Sequence, residues 1–199
     1  MKKNKILMVL VLLIPLLILW GFMFQISQKG IYFSSERVEE AVRIAIQHDG
    51  LITMDQLKTI EELEVRDAGI ESLEGLHFLS ELKKLDIRDN QITDLSPIEG
   101  LTKLTEINLR GNNISDITPL ENLKELRVLN ARDNLINDIS VLSTLPYLED
   151  VNLRNNQITN IDSLANHEYL TLRLYLEGNP IVDYSPVNHY YPSIENKDF

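Results

Sequence analysis

Apolar residues recur along this chain at the same offsets every 22 positions. Leu79, Leu82, Leu85, Ile87, Ile92, Leu95 and Ile98 are followed by Leu101, Leu104, Ile107, Leu109, Ile114, Ile117 and Leu120, and then by Leu123, Leu126, Leu129, Ala131, Ile136, Ile139 and Leu142. A further copy runs Leu145, Leu148, Val151, Leu153, Ile158, Ile161 and Leu164, and Asn90, Asn112, Asn134 and Asn156 hold one polar position within the pattern. Two weaker units flank these. The first has Leu63, Val65, Ile70, Leu73 and Leu76, with Ala68 in the asparagine position; the last has Leu174, Leu176, Asn179, Ile181, Tyr184 and Val187, displaced by one inserted residue near Leu170. Alternation in the Leu-x-Leu part predicts a short half-buried strand whose intervening residue faces solvent. The asparagine follows where the chain turns inward, and its amide can serve buried backbone groups that lack sheet partners. Asp-Ile-x-Pro-Leu at 116 to 120 predicts the next turn, where proline fixes φ and forgoes a donor.

A period of about 20 to 29 residues with leucines at fixed offsets is the signature of a leucine-rich repeat horseshoe. The expected fold is an α/β solenoid of about six repeats over 63–187, with a parallel sheet on its concave face. Its open end needs a cover, and the chain over 35–62 predicts a helical cap. Val38, Ala41, Val42, Ala45 and Ile46 share one helical face, Ser35 stands at the N-cap position, Glu36 and Glu39 lie in the first turn, and Gly50 can end the helix. Thr53 with Gln56 forms a capping-box pattern for a second short helix carrying Met54, Leu57 and Ile60. Tyr184, Tyr190 and Tyr191 with Pro186 and Pro192 can close the last coil, leaving 188–199 as a C-terminal cap or tail.

The unit Leu-Thr-Lys-Leu-Thr-Glu-Ile-Asn-Leu-Arg-Gly-Asn-Asn-Ile-Ser-Asp-Ile-Thr-Pro-Leu at 101 to 120 resembles the 22-residue repeat of the internalin class of bacterial leucine-rich repeat proteins. The resemblance covers roughly residues 35 to 187 and implies a helical cap, display at the cell surface and a protein-binding role. Internalin-like domains that grip large partners carry aromatic residues on the concave face, whereas here Tyr175 is the only one.

Residues 1–25 follow a different rule. Lys2, Lys3 and Lys5 precede an uncharged, almost wholly apolar stretch from Ile6 to Phe24, which as a helix would be about 28 Å long against a hydrocarbon core of roughly 30 Å. It reads as an uncleaved signal anchor, a transmembrane helix through which the chain meets the lipid bilayer. The lysines stay in the cytoplasm, Trp20 lies near the far interface, and everything beyond Gln25 is extracytoplasmic. Cleavage would instead release a secreted adhesin or virulence-type protein. A linker over 26–34 spans at most about 32 Å, which points to a membrane-proximal partner.

All 30 acidic residues lie beyond position 25, while three of the 19 basic residues lie before it, so the outer part carries 16 minus 30, or −14. Such a surface disfavours nucleic acid and anionic lipid. The absence of cysteine excludes disulfides, thiol catalysis, thiolate metal sites and a lipoprotein anchor. His48, His77, His167 and His189 form no metal-like spacing, and neither a phosphate-binding glycine loop nor a nucleophile elbow occurs. The expectation is a non-catalytic chain without cofactors, an adaptor or co-receptor.

Function is then sought on the concave face. One column reads Glu64, Asp86, Asn108, Asn130, Asn152 and Tyr175, the next Arg66, Arg88, Arg110, Arg132, Arg154 and Glu177, and a third Asp67, Asp89, Gly111, Asp133, Asn155 and Gly178. Five arginines stacked about 4.8 Å apart repel unless carboxylates intervene, and acidic neighbours thin out toward the C-terminal side. Arg110, Arg132, Arg154, Asn130, Asn152 and Tyr175 are therefore the candidate partner-binding residues, suited to an acidic or carboxylate-bearing protein segment. The competing readings are a self-paired, solvated surface and recognition of cell-wall glycan or peptide.

Overall fold

The structure, a computed structural model, describes residues 31–199, of which Phe33–Phe199 form one compact unit. The signal anchor expected over 1–25 lies outside the described residues. Among the described residues no helix is long and apolar enough to cross a membrane.

Helix α1 (Glu36–Ile46) and the single-turn α2 (Met54–Leu57) precede six three-residue strands: β1 (Glu62–Glu64), β2 (Lys84–Asp86), β3 (Glu106–Asn108), β4 (Val128–Asn130), β5 (Asp150–Asn152) and β6 (Arg173–Tyr175). A two-residue strand, β7 (Asn196–Lys197), completes one open parallel sheet in sequence order. Leu85 pairs with Ile107 and Ile107 with Leu129, each step one repeat long; the inserted residue shifts the last full step so that Val151 pairs with Leu174. Short 3-10 turns such as Ser96–Ile98 and Thr118–Asn122 return each coil, with proline in their first positions. Asp116 prepares the second of these by accepting a hydrogen bond from the Thr118 N–H at 2.8 Å.

The core is the predicted leucine and isoleucine stack. Every apolar repeat position from Leu79 to Leu164 is buried, and Val38, Val42, Leu57 and Ile60 seal its N-terminal end. Stacked coils bury these side chains against their neighbours above and below, which is why a chain without cysteine can hold this shape. The asparagine ladder serves the backbone as expected. In Asn112, Oδ1 accepts from the Ile92 N–H at 3.0 Å, while Nδ2 donates to the carbonyls of Ile87 at 3.0 Å and Leu109 at 2.9 Å. Asn90, Asn134 and Asn156 repeat that pattern.

Several local expectations are corrected. Helix α1 ends at Gln47, which takes a left-handed conformation (φ 52°) with its N–H on the Ile44 carbonyl, so Gly50 is not the stop. Ser35 occupies the N-cap position without a side-chain cap, whereas Thr53 and Gln56 do form the reciprocal capping box. The segment expected as linker ends inside the fold: Phe33 is buried, and the Ser34 N–H donates to the Glu74 carbonyl at 3.3 Å. The column Asp67, Asp89, Gly111, Asp133, Asn155 and Gly178 has positive φ throughout. It is the left-handed hinge after each strand, and aspartate, asparagine and glycine stand there because they tolerate that conformation.

Candidate functional site

The open sheet face carries the first and third residues of β1 to β6 together with the residue two positions later, arginine after β1 to β5 and Glu177 after β6. The first residues, which the column reading did not include, are Glu62, Lys84, Glu106, Val128, Asp150 and Arg173. They share a face with the third residues because side chains alternate along a strand, so the period-2 rule could have added them. They are largely self-paired. Lys84 Nζ lies 3.0 Å from Glu106 and 3.9 Å from Glu62, and the hydrogen bond it donates to Glu106 holds the ammonium pKa above its ordinary value. Arg173 grips Asp150 with two parallel bonds, of 2.7 and 2.8 Å. Val128, between these groups, is uncharged. A cavity of about 370 Å³ runs over this part of the face, lined among others by Glu64, Arg66, Asp86, Asn108 and Asn130.

Along the arginine column compensation is uneven. Arg66 is held by Glu64 at 2.5 Å and Asp86 at 2.8 Å. Arg88 comes no closer than 3.9 Å to Asp86, and Arg110 stands 3.6 Å from Asp133. Arg132 bonds Asp133 at 3.0 Å, and that carboxylate also accepts from Asn155 Nδ2 at 2.6 Å. Arg154 is taken up within the chain. Its Nε donates to Asp198, its guanidinium carbon lies 3.7 Å from the centre of the Tyr175 ring, and Glu177 is 3.8 Å away.

The asparagines of the neighbouring column are aimed by their own backbone. Oδ1 of Asn108, Asn130 and Asn152 accepts from the N–H of Arg110, Arg132 and Arg154 at 3.3 to 3.4 Å. That bond leaves each Nδ2 as the free donor; among the described residues neither Asn108 nor Asn130 uses it. Asn152 is buried, with 6% of its surface exposed. The structure thus brings Asn130, Arg110 and Arg132 together on an accessible patch and adds Asn108 and Arg88. Asn152, Arg154 and Tyr175 form a separate, covered group at the C-terminal end.

Covering is the work of residues 188–199, expected as a cap or tail. Tyr184 stacks on Phe199 at 5.0 Å, Tyr190 donates its hydroxyl proton to the Leu164 carbonyl at 2.6 Å, and β7 adds a seventh strand where six were expected. Burial raises the Tyr190 pKa, so the hydroxyl remains a donor. One of the four histidines occupies a core position that the sequence reading did not assign to it. His167 falls in the core position held by Leu101, Leu123 and Leu145, and it is 4% exposed. Its Nε2–H donates to the Ser163 carbonyl at 3.1 Å, while Nδ1 and the Ser163 hydroxyl, both buried, have no partner. Burial lowers its pKa below the ordinary histidine value. A strict count of 22 from Leu145 lands on His167, so the period could have shown this substitution. Among the described residues, no group of three or more metal-ligating side chains comes together.

Known proteins agree with this geometry. The family model for leucine-rich repeats in two copies matches residues 80–122 and again 124–166. No curated protein matches the sequence. Among solved structures, an internalin (InlF) from Listeria monocytogenes superposes with a TM-score of 0.69 at 28% identity, covering 83% of this chain and 56% of its own. The functional domain of InlJ from the same organism, described as including a cysteine ladder, gives a TM-score of 0.70 at 27% identity over 83% of this chain and 36% of its own. A leucine-rich repeat protein of Leptospira interrogans gives 0.63 at 29% identity over 72% of this chain and 38% of its own. The chain therefore spans between about a third and just over half of the length of these relatives. With the 22-residue register, the asparagine ladder and these neighbours, the chain carries leucine-rich repeats and is similar to the internalin-like bacterial leucine-rich repeat proteins.

Proposed function

We propose that this chain is a membrane-anchored, extracytoplasmic binding module, an adaptor or co-receptor without catalysis of its own, that receives a carboxylate-bearing segment of a membrane-proximal protein on its concave face. The observation that carries the reading is the donor surplus at the centre of the sheet. Arg88 and Arg110 have only long ion pairs, of 3.9 and 3.6 Å, and beside them the side-chain amides of Asn108 and Asn130 point outward with Nδ2 unused among the described residues. Guanidinium and amide donors in adjacent rows suit carboxylates and peptide carbonyls of an extended segment, and charge-assisted bonds of this kind are about twice as strong as neutral ones. The site is Asn130, Arg110 and Arg132, extended by Asn108 and Arg88; Arg154, Asn152 and Tyr175 join it where the C-terminal residues withdraw.

Anchoring supports a nearby partner. The apolar stretch Ile6 to Phe24 has the length of a membrane span, and the fold begins at Phe33. With that stretch as the anchor, so short a connection favours a membrane-proximal partner.

A photoreactive group at Asn130, followed by identification of captured proteins from native membranes, tests this reading. Capture of one protein in wild type, lost in the Arg110→Ala, Arg132→Ala variant, is expected. Capture that survives the double change rejects the arginine site.

A further inference from the structure

The C-terminal edge of the sheet is filled by the chain itself, and the filling is of an unusual kind. In the inner coils the N–H groups that follow a strand donate to backbone carbonyls of the next one: Leu153 to Tyr175 at 2.9 Å and Asn155 to Glu177 at 2.9 Å. At β6 a side-chain carboxylate does this instead. One oxygen of Asp198 accepts from the backbone N–H groups of Leu176 at 2.7 Å and Glu177 at 3.1 Å, and the other accepts from Arg154, whose guanidinium rests on the Tyr175 ring. Two backbone donors and one guanidinium, all supplied by the fifth and sixth coils, thus converge on one carboxylate. Only 12% of the Asp198 side chain remains exposed.

The segment that brings this carboxylate is lightly held. Ile194 is buried, but no residue after it is. Besides Asp198, its attachments are a two-residue strand on β6, bonds from Lys197 Nζ to the carbonyls of Tyr191 and Ile194, from Asn196 Nδ2 to the Leu172 carbonyl and from the Tyr191 hydroxyl to the Phe199 carbonyl, and ring contacts of Phe199 with Tyr184 and Tyr191 and of Lys197 with Tyr191. Segments held by surface polar contacts open at far lower free energy than the buried core.

We propose that the edge of β6, with Arg154, Tyr175 and the N–H groups of Leu176 and Glu177, is a recognition site for an extended acidic peptide of a partner protein, and that residues 195–199 occupy it in cis. The incoming peptide pairs with β6 as a parallel strand and sets an aspartate or glutamate where Asp198 now lies, so main-chain bonds supply affinity and the carboxylate supplies selectivity. The cis segment acts as a tethered competitor. This deepens the preceding reading by naming a second, gated place for the same acidic chemistry.

The test uses the full chain and a fluorescent peptide copying residues 193–199. Asp198→Ala leaves the core untouched and removes the competitor's charge, so it is expected to bind the peptide at least about tenfold more tightly than wild type. Replacing the peptide's own aspartate by asparagine, or adding Arg154→Ala to the protein, is expected to cost about tenfold or more. Equal binding by wild type and Asp198→Ala, or indifference to the peptide's aspartate, overturns the proposal. So does a concentration-dependent dimer of wild type in which a second copy's tail is the occupant. If Asp198→Ala perturbs the last coil, hydrogen exchange on the unmodified chain decides. Leu176 and Glu177 amides are expected to exchange at least about tenfold faster than those of Leu153 and Asn155, and equal protection overturns the idea of a displaceable segment. Arg110→Ala with Arg132→Ala leaves peptide binding at β6 intact, so failure of the central patch and failure of this edge site are separately visible.

Discussion

Replacing Asn112 by alanine strips one rung from the ladder that holds the coils in register. Asn112 is 6% exposed and satisfies three buried backbone groups: the N–H of Ile92 at 3.0 Å, the carbonyl of Ile87 at 3.0 Å and the carbonyl of Leu109 at 2.9 Å. A buried polar group left without a partner costs about 1 to 3 kcal/mol. Only the Ile92 N–H is then orphaned, because the Ile87 carbonyl still accepts from Asn90 Nδ2 at 2.9 Å and the Leu109 carbonyl from Asn134 Nδ2 at 3.0 Å, and the expected loss is about 1 to 3 kcal/mol. The adjacent Asn113 is exposed, its side chain makes no hydrogen bond among the described residues, and Asn113→Ala is expected to change stability by less than about 0.5 kcal/mol. Equilibrium urea unfolding of the two variants and wild type, followed by far-ultraviolet circular dichroism, measures the contrast. A loss below about 1 kcal/mol for Asn112→Ala with an unchanged denaturant slope would refute the view that these amides are structural necessities.

His167→Leu restores the repeat's apolar residue and removes a buried imidazole nitrogen without a partner, so stability at neutral pH is expected to rise by about 1 kcal/mol. The same histidine makes wild type acid-sensitive. Its folded pKa is depressed by burial, so as pH falls below about 6.5 the unfolded chain binds the proton first and stability declines until the depressed folded pKa is passed. His167→Leu should lack that slope, as thermal melts between neutral pH and pH 5 will show. Gly178→Ala places a Cβ within 3.1 to 3.2 Å of the Asn155 backbone at a φ of +78° and is expected to cost about 1 to 3 kcal/mol, whereas Gly100→Ala meets nothing within 4 Å and should be nearly neutral in the same unfolding assay. Arg110→Ala with Arg132→Ala should abolish partner capture from Asn130 while leaving the melting curve within a few degrees of wild type, because both arginines lie on the accessible face.

Most of the coil architecture was legible in the residues themselves. Leu85, Ile107, Leu129 and Val151 announce the inner face of each strand because a buried position tolerates only apolar side chains, and Asn112 announces the turn because few other side chains both donate and accept there. Other features were misread for physical reasons. Asp67, Asp89 and Asp133 looked like counter-charges, yet their place in the chain is governed first by backbone conformation, since each has φ between 47° and 58°. Asp133 also pairs with Arg132, so one residue answers to both demands. His167 lay open to the count, 22 residues after Leu145, but a polar residue does not mark an apolar rung, and Gly50 attracted the helix stop that Gln47 provides.

What the sequence alone determined is the repeat: its length, its apolar rungs, its asparagine ladder and the identity of the side chains that line the open face. All of these follow from local rules of alternation, turn chemistry and burial that each coil obeys separately. What only the tertiary structure decided is which of those side chains are free. Arg66, Arg110 and Arg154 occupy the same position in their repeats, yet Arg66 is bound by two carboxylates, Arg110 stands 3.6 Å from its nearest, and Arg154 is closed over by Asp198 from 44 residues further along the chain. Periodicity places a group in a column, but its electrostatic partner comes from whichever segment folds beside it, and that is a property of the assembled surface rather than of the repeat.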